Sequence, residues 1–147
     1  MNDILAQIRQ KAIALLGHRE HSVFELRQKL VRYPFESSLI ELVLAQLQAD
    51  NLLNEERFIE SFMRARIAKG HGPLRIQQEL RQRGIAEYSI EMNDPAWIEQ
   101  ASRARQKRFG SSFPHDPHEK AKQMRFLQYR GFSHTQIRMV LKELNSR

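Results

Sequence analysis

At 147 residues and 41% hydrophobic, the chain suits one domain or a short array of small helical units, and no apolar run approaches the roughly 18 residues of a membrane span. It has no cysteine, which excludes disulfides, thiolate catalysis and cysteine-based zinc sites and is compatible with a reducing cytoplasm, where we expect it to work. Its formal charge of +7 is uneven: residues 1–56 hold six Lys/Arg against eight Asp/Glu, 57–110 eleven against six, and 111–147 seven against three. A basic middle and C-terminal part suits a polyanion or an acidic protein surface, although a plainly solvated basic surface has the same composition.

Apolar residues recur at helical spacing throughout. Met1-Asn2-Asp3-Ile4 has no basic segment leading into an apolar stretch, so no secretory signal is expected. Ile4, Ile8, Ala12 and Leu15 form one stripe over 3–17. Ser22 with Glu25 has capping-box spacing and opens a helix over 23–33. Leu39, Ile40, Val43, Leu44 and Leu47 stripe a third helix, 38–49. Asn54 caps 55–69, where Glu55 and Glu56 meet the positive end of the helix dipole. Gly70-His71-Gly72-Pro73 lacks the Lys-Ser/Thr of a phosphate loop and reads as a helix stop followed by the start of 73–83. A short helix is expected over 86–92. Asp94-Pro95 opens 95–109, and Gly110–Pro114 with His115 is the expected mobile loop. Asp116-Pro117, with Glu119 at capping-box spacing, opens 117–130. Ser133 with Gln136 opens 134–145, striped by Ile137, Val140, Leu141 and Leu144. The sum is nine helices.

Aligning the caps Ser22, Gly72 and Ser133 exposes a repeat. Four residues on stand Leu26, Ile76 and Ile137, and eight residues on stand Leu30, Leu80 and Leu141. Leu16, Ile67 and Leu127 close the preceding helices. One helix–turn–helix is written three times, which predicts an all-α array of tandem three-helix repeats divided as 1–53, 54–93 and 94–147. Helix-turn-helix geometry can place a second helix in the major groove, but it is also ordinary scaffold. The polar faces of 23–33 (Arg27, Gln28, Lys29, Arg32) and 73–83 (Arg75, Gln77, Gln78, Arg81, Gln82) suit phosphates or acidic side chains equally.

No catalytic constellation is legible. His18/His21 and His115/His118 have an offset of three but sit across turns without a third ligand, so no metal, cofactor or catalytic residue is expected. The contact candidates are basic: Arg57, Arg64, Arg66 and Lys69 on 55–69, Arg75 and Arg81 on 73–83, and Arg103, Arg105 and Lys107 on 95–109. The guanidinium fork fits phosphate and carboxylate alike, so these residues do not distinguish DNA from an acidic protein groove. Phe58, Phe62, Trp97 and Phe126 have core spacing, whereas Tyr33, Phe35, Tyr129 and Phe132 lie at helix ends, where partner contact is more open to them.

Three stretches resemble the RecX family: Ala12–Leu30 around His18-Arg-Glu-His-Ser22, then Leu53-Asn-Glu-Glu-Arg-Phe58 running on through Arg66–Ile85, and Lys122–Ile137. The resemblance covers nearly the whole chain and is weakest over 86–116. It implies a bacterial, non-enzymatic regulator of the RecA recombinase in DNA repair, recombination and the SOS response. Such a protein forms a curved array of three-helix units and binds the RecA–DNA filament, limiting its growth, ATP hydrolysis and recombinase activity. Some family members also bind single- or double-stranded DNA directly. We expect a monomer without membrane contact. The competing reading is a DNA-binding protein, sequence-specific or general, that acts without RecA.

Overall fold

The computed structural model describes residues 2–145, with side chains over 3–142. Within the described residues the chain is all-helical, with eight helices and no strand: α1 (Asn2–His18), α2 (Val23–Leu30), α3 (Ser37–Ala49), α4 (Glu55–Ala68), α5 (Pro73–Gln82), α6 (Ala96–Phe109), α7 (Pro117–Arg130) and α8 (His134–Asn145). The chain divides into two compact units, Met1–Phe62 with Leu80–Ala86, and Met63–Glu79 with Glu87–Arg147.

In the first unit Ile8 and Ala12 of α1, Leu26 and Leu30 of α2, and Ile40, Val43, Leu44 and Leu47 of α3 close one core with Leu53. Ile4 is an exception to the expected stripe: it is exposed, and Leu5 packs against the core instead. Ser22 caps α2 in a full capping box, accepting from Glu25 N–H at 3.1 Å while the Glu25 carboxylate accepts from Ser22 N–H at 3.2 Å. The Ser22 hydroxyl also donates to the Arg83 carbonyl at 2.7 Å. Asn54 accepts from Arg57 N–H at 3.0 Å and so caps α4.

In the second unit α6 packs on α7 and α8, burying Trp97, Ala101, Ala104, Leu127, Phe132, Ile137, Val140 and Leu141. Leu144, the last member of the expected α8 stripe, falls outside the described side chains. Ser133 and Gln136 form the same reciprocal cap as Ser22 and Glu25, at 3.2 and 2.8 Å. Asp116 caps α7 through His118 N–H, while Glu119 accepts from the Gln123 amide rather than completing a box. Asp94 accepts from Ala96 N–H at 3.0 Å, and α6 begins at Ala96, one residue after the expected start.

Residues 86–92 are not helical, contrary to expectation. Side chains from elsewhere take the hydrogen bonds that a helix would need. Gln77, nearly buried at 5% exposure, donates to the Tyr88 carbonyl and accepts from Ile90 N–H, both at 2.8 Å. Trp97 Nε1 donates to the Glu91 carbonyl at 3.0 Å and the Gln136 amide to the Met92 carbonyl at 2.9 Å. Every one of these bonds satisfies a backbone group that would otherwise be costly to shield from water. Gln77 is therefore no part of a solvent-facing polar stripe.

The threefold repeat is physical. The first helical bond after each aligned cap is the same: Leu26 N–H to Ser22, Ile76 N–H to Gly72 and Ile137 N–H to Ser133, at 3.1, 3.1 and 2.9 Å. The aligned pairs Leu26/Leu30, Ile76/Leu80 and Ile137/Leu141 are all buried.

Candidate functional site

Within the second unit the C-terminal half of α4, one face of α6 and the end of α7 line a groove of about 550 Å³. The α6 contribution is Gln100, Arg103, Ala104, Lys107 and Arg108, the spacing of a single helical face. Ile67, Ala68, Ala104 and Phe126 supply an apolar lining, and Arg64, Lys69, Arg103, Lys107, Arg108 and Arg130 supply charge. Among the described residues no carboxylate lines it.

Arg130 is held in place. Its guanidinium donates to the Lys69 carbonyl at 2.8 Å and lies 4.8 Å from the Phe126 ring centroid. Gly70, at φ +87°, makes room for it: a Cβ there would stand 3.1 Å from Arg130 Nη1. On α6, Arg103 pairs with Glu99 at 3.0 Å, both side chains about two-thirds exposed. Such a pair is worth little in water and leaves Arg103 available to a stronger anion. Arg103 and Lys107 stand one turn apart, about 6 Å along the axis.

The groove thus gathers Arg64, Lys69, Arg103 and Lys107 of the candidates, and adds Arg108 and Arg130, which sequence reasoning missed. Arg108 extends the Arg103/Lys107 face and was open to detection by spacing. Arg130 arrives only through tertiary packing. Arg57 lies in the first unit, bonded to Glu20 at 2.9 Å and the Leu52 carbonyl at 3.2 Å. Arg81, also in that unit, is exposed. Arg66 and Arg75 converge on Glu79, at 3.2 and 3.3 Å, with His71 Nδ1 at 3.6 Å. Burial first, then Arg75, holds His71 below its ordinary pKa against the pull of Glu79.

Arg105 is a correction. Only 1% exposed, it cannot meet a partner. Its guanidinium donates to the Gly110 carbonyl at 2.5 Å, the Ser112 carbonyl at 3.4 Å and Gln123 Oε1 at 3.0 Å. Burial lowers its pKa, and its bonds tie down the start of the loop that glycine and proline mark as irregular. Of the helix-end aromatics open to partner contact, Phe132 is buried, whereas Tyr129 is 80% exposed.

His21 is buried, with Nδ1 2.9 Å from the Arg19 carbonyl and Nε2 2.8 Å from Lys29 Nζ. Both contacts are met by a neutral ring that donates from Nδ1 and accepts at Nε2. No three His, Asp or Glu side chains among the described residues meet in a metal-binding group. No helix there is long and apolar enough to cross a membrane.

Three family profiles match this chain: RecX first three-helix domain over residues 9–47, second over 54–92 and third over 98–141. "Regulatory protein RecX" of Halorhodospira halophila is 44% identical over 135 residues, covering 89% of this chain and 84% of the relative. That of Pseudomonas fluorescens Pf-5 is 40% identical over 143 residues, covering 95% and 92%. The fold agrees with the crystal structure of RecX from Lactobacillus salivarius, at a TM-score of 0.82 and 21% identity over 100% of both chains. A second crystal structure, of regulatory protein RecX, gives 0.76 at 23% identity over 95% of this chain and 72% of the other. On these matches, the chain belongs to the RecX family of regulatory proteins.

Proposed function

We propose that this protein is a non-catalytic, cytoplasmic, monomeric regulator that binds RecA filaments on DNA and restrains their growth, ATP hydrolysis and recombinase activity. Its repeats divide at 1–53, 54–93 and 94–147, and the third carries most of the binding charge. The supporting observation is the groove, where six cationic side chains converge with no carboxylate among its lining residues. A surface of that composition favours an acidic protein groove, DNA phosphate, or both presented together. Arg64, Lys69, Arg103 and Lys107 are the contact residues, joined by Arg108 and Arg130.

The test is RecA filament growth and RecA ATP hydrolysis at near-stoichiometric ratios, with bare DNA binding measured alongside across salt concentrations. Wild-type protein slows both RecA activities, and the Arg64→Glu/Arg103→Glu/Lys107→Glu variant loses the effect by tenfold or more. Arg9→Glu/Lys11→Glu on α1 retains it. Unchanged RecA activities with wild type would sink the reading. Tight DNA binding with no effect on RecA would favour a DNA-binding protein acting alone.

A further inference from the structure

Beside the cationic groove lies a second concavity of about 390 Å³, formed where the start of α5 meets the α7–α8 turn. Leu74, Arg75 and Gln78 line one side, and Gln128, Tyr129 and His134 the other. The backbones are clamped: Gly72 N–H donates to the Arg130 carbonyl at 2.7 Å and Leu74 N–H to the Gly131 carbonyl at 3.0 Å. Tyr129 is 80% exposed with Leu74 half exposed nearby, and the Arg75 guanidinium stands 5.7 Å from the Tyr129 ring centroid.

From this geometry we infer that the Tyr129 concavity is a stacking subsite for one unpaired nucleobase of a strand whose phosphates lie in the cationic groove. Three features favour a base over a protein side chain. The ring is a broad, exposed π-face backed by a cation, which any base can stack on. The other polar side chains of the lining include Gln78, Gln128, Ser133 and His134, hydrogen-bonding groups suited to a base edge. Tyr129 is also the immediate chain neighbour of Arg130, so a phosphate binder and a π-platform stand a single Cα step apart. Single strands present phosphate and base alternately at short range, whereas duplex bases are already stacked and out of reach. The inference rests on direct DNA contact by the cationic groove.

The test uses the full chain and oligonucleotides, single-stranded and duplex, carrying a fluorescent adenine analogue that is quenched on stacking. Wild type binds the single strand and quenches the analogue. Tyr129→Ala weakens single-strand binding about 5- to 100-fold, the worth of one stacked base. It also abolishes quenching, leaves duplex binding unchanged and keeps the salt dependence. Tyr129→Phe restores both affinity and quenching. Arg103→Ala/Lys107→Ala instead flattens the salt dependence, by about 0.7 in logarithmic slope for each phosphate no longer neutralised. Failure of wild type to bind any DNA at low salt overturns the groove's role and the subsite together. Salt-dependent binding that is indifferent to Tyr129→Ala overturns the subsite alone. If Tyr129→Ala spares oligonucleotides but weakens RecA filament binding, Tyr129 is a protein contact and the inference falls. Tyr129 is exposed enough that both substitutions leave the fold intact, which circular dichroism checks.

Discussion

Alanine at Gly17 and at Gly72 should move stability in opposite directions. Gly72 stands where α5 begins, and a Cβ there would lie 2.5–2.6 Å from the carbonyl carbon and oxygen of Gly131 and the nitrogen of Phe132. These are backbone atoms, so no rotamer change relieves the clash. The two segments must part, losing the bonds from Gly72 N–H to Arg130 and from Leu74 N–H to Gly131. At about 1 kcal/mol per bond, with about 1–3 kcal/mol of overpacking strain, Gly72→Ala costs about 3–5 kcal/mol. Total stabilities run to only about 5–15 kcal/mol, so this is a large share. Gly17 lies inside α1, and a Cβ added there would meet nothing within 4 Å. Gly17→Ala should stabilise by up to about 1 kcal/mol, because alanine loses less backbone freedom in a helix. Chemical denaturation of the three proteins measures both signs, and thermal melting should place Gly72→Ala roughly 6–20 °C below wild type. A cost under about 1 kcal/mol for Gly72→Ala, or matching signs for the two, would refute the close backbone approach.

Leu26→Ala and Leu80→Ala, both fully buried and each on the striped face of its repeat, should each cost about 2–5 kcal/mol in denaturant titration through the cavity left behind; unchanged midpoints would remove them from the core. Arg105→Ala leaves the Gly110, Ser112 and Gln123 acceptors without their donor, so it should cost about 3 kcal/mol or more; a variant that unfolds like wild type but loses filament binding would make Arg105 a contact residue after all. Acidification should weaken the fold through His21. Burial, opposed by the Arg19 carbonyl and aided by the Arg19 and Lys29 charges, lowers its pKa below the ordinary 6.5. The unfolded chain therefore takes up the proton first, so the stability from a neutral ring is complete above pH 6.5 and is lost as the pH falls below it toward the folded value. His21→Gln should flatten the denaturation midpoint between about pH 7.5 and 5; an equal acid loss in that variant would place the effect elsewhere, with His71 the next group to replace.

Helices, caps and the repeat were legible because their causes are local. Ser22, Asn54 and Ser133 bond to groups three residues away, and the 3.6-residue period marks the buried pairs from Leu26/Leu30 to Ile137/Leu141. What failed was decided at long range. A helix is expected over 86–92, but Gln77, Trp97 and Gln136 reach in from α5, α6 and α8 to take its carbonyls and amides. The site divides along the same line. Arg103, Lys107 and Arg108 share an α6 face that spacing alone defines, yet Arg105 sits two residues from Arg103 on the same helix and points into protein. Equal charge and propensity cannot separate these residues; Gly110, Ser112 and Gln123 do, because they offer Arg105 the acceptors that water would otherwise supply. Arg130 is the converse, drawn into the groove by a carbonyl 61 residues away and the space a glycine leaves. An arginine becomes a contact residue or a strut according to which acceptors the fold brings within reach of its fork, so a basic sequence limits the class of partner while only the packed chain selects the face that meets it.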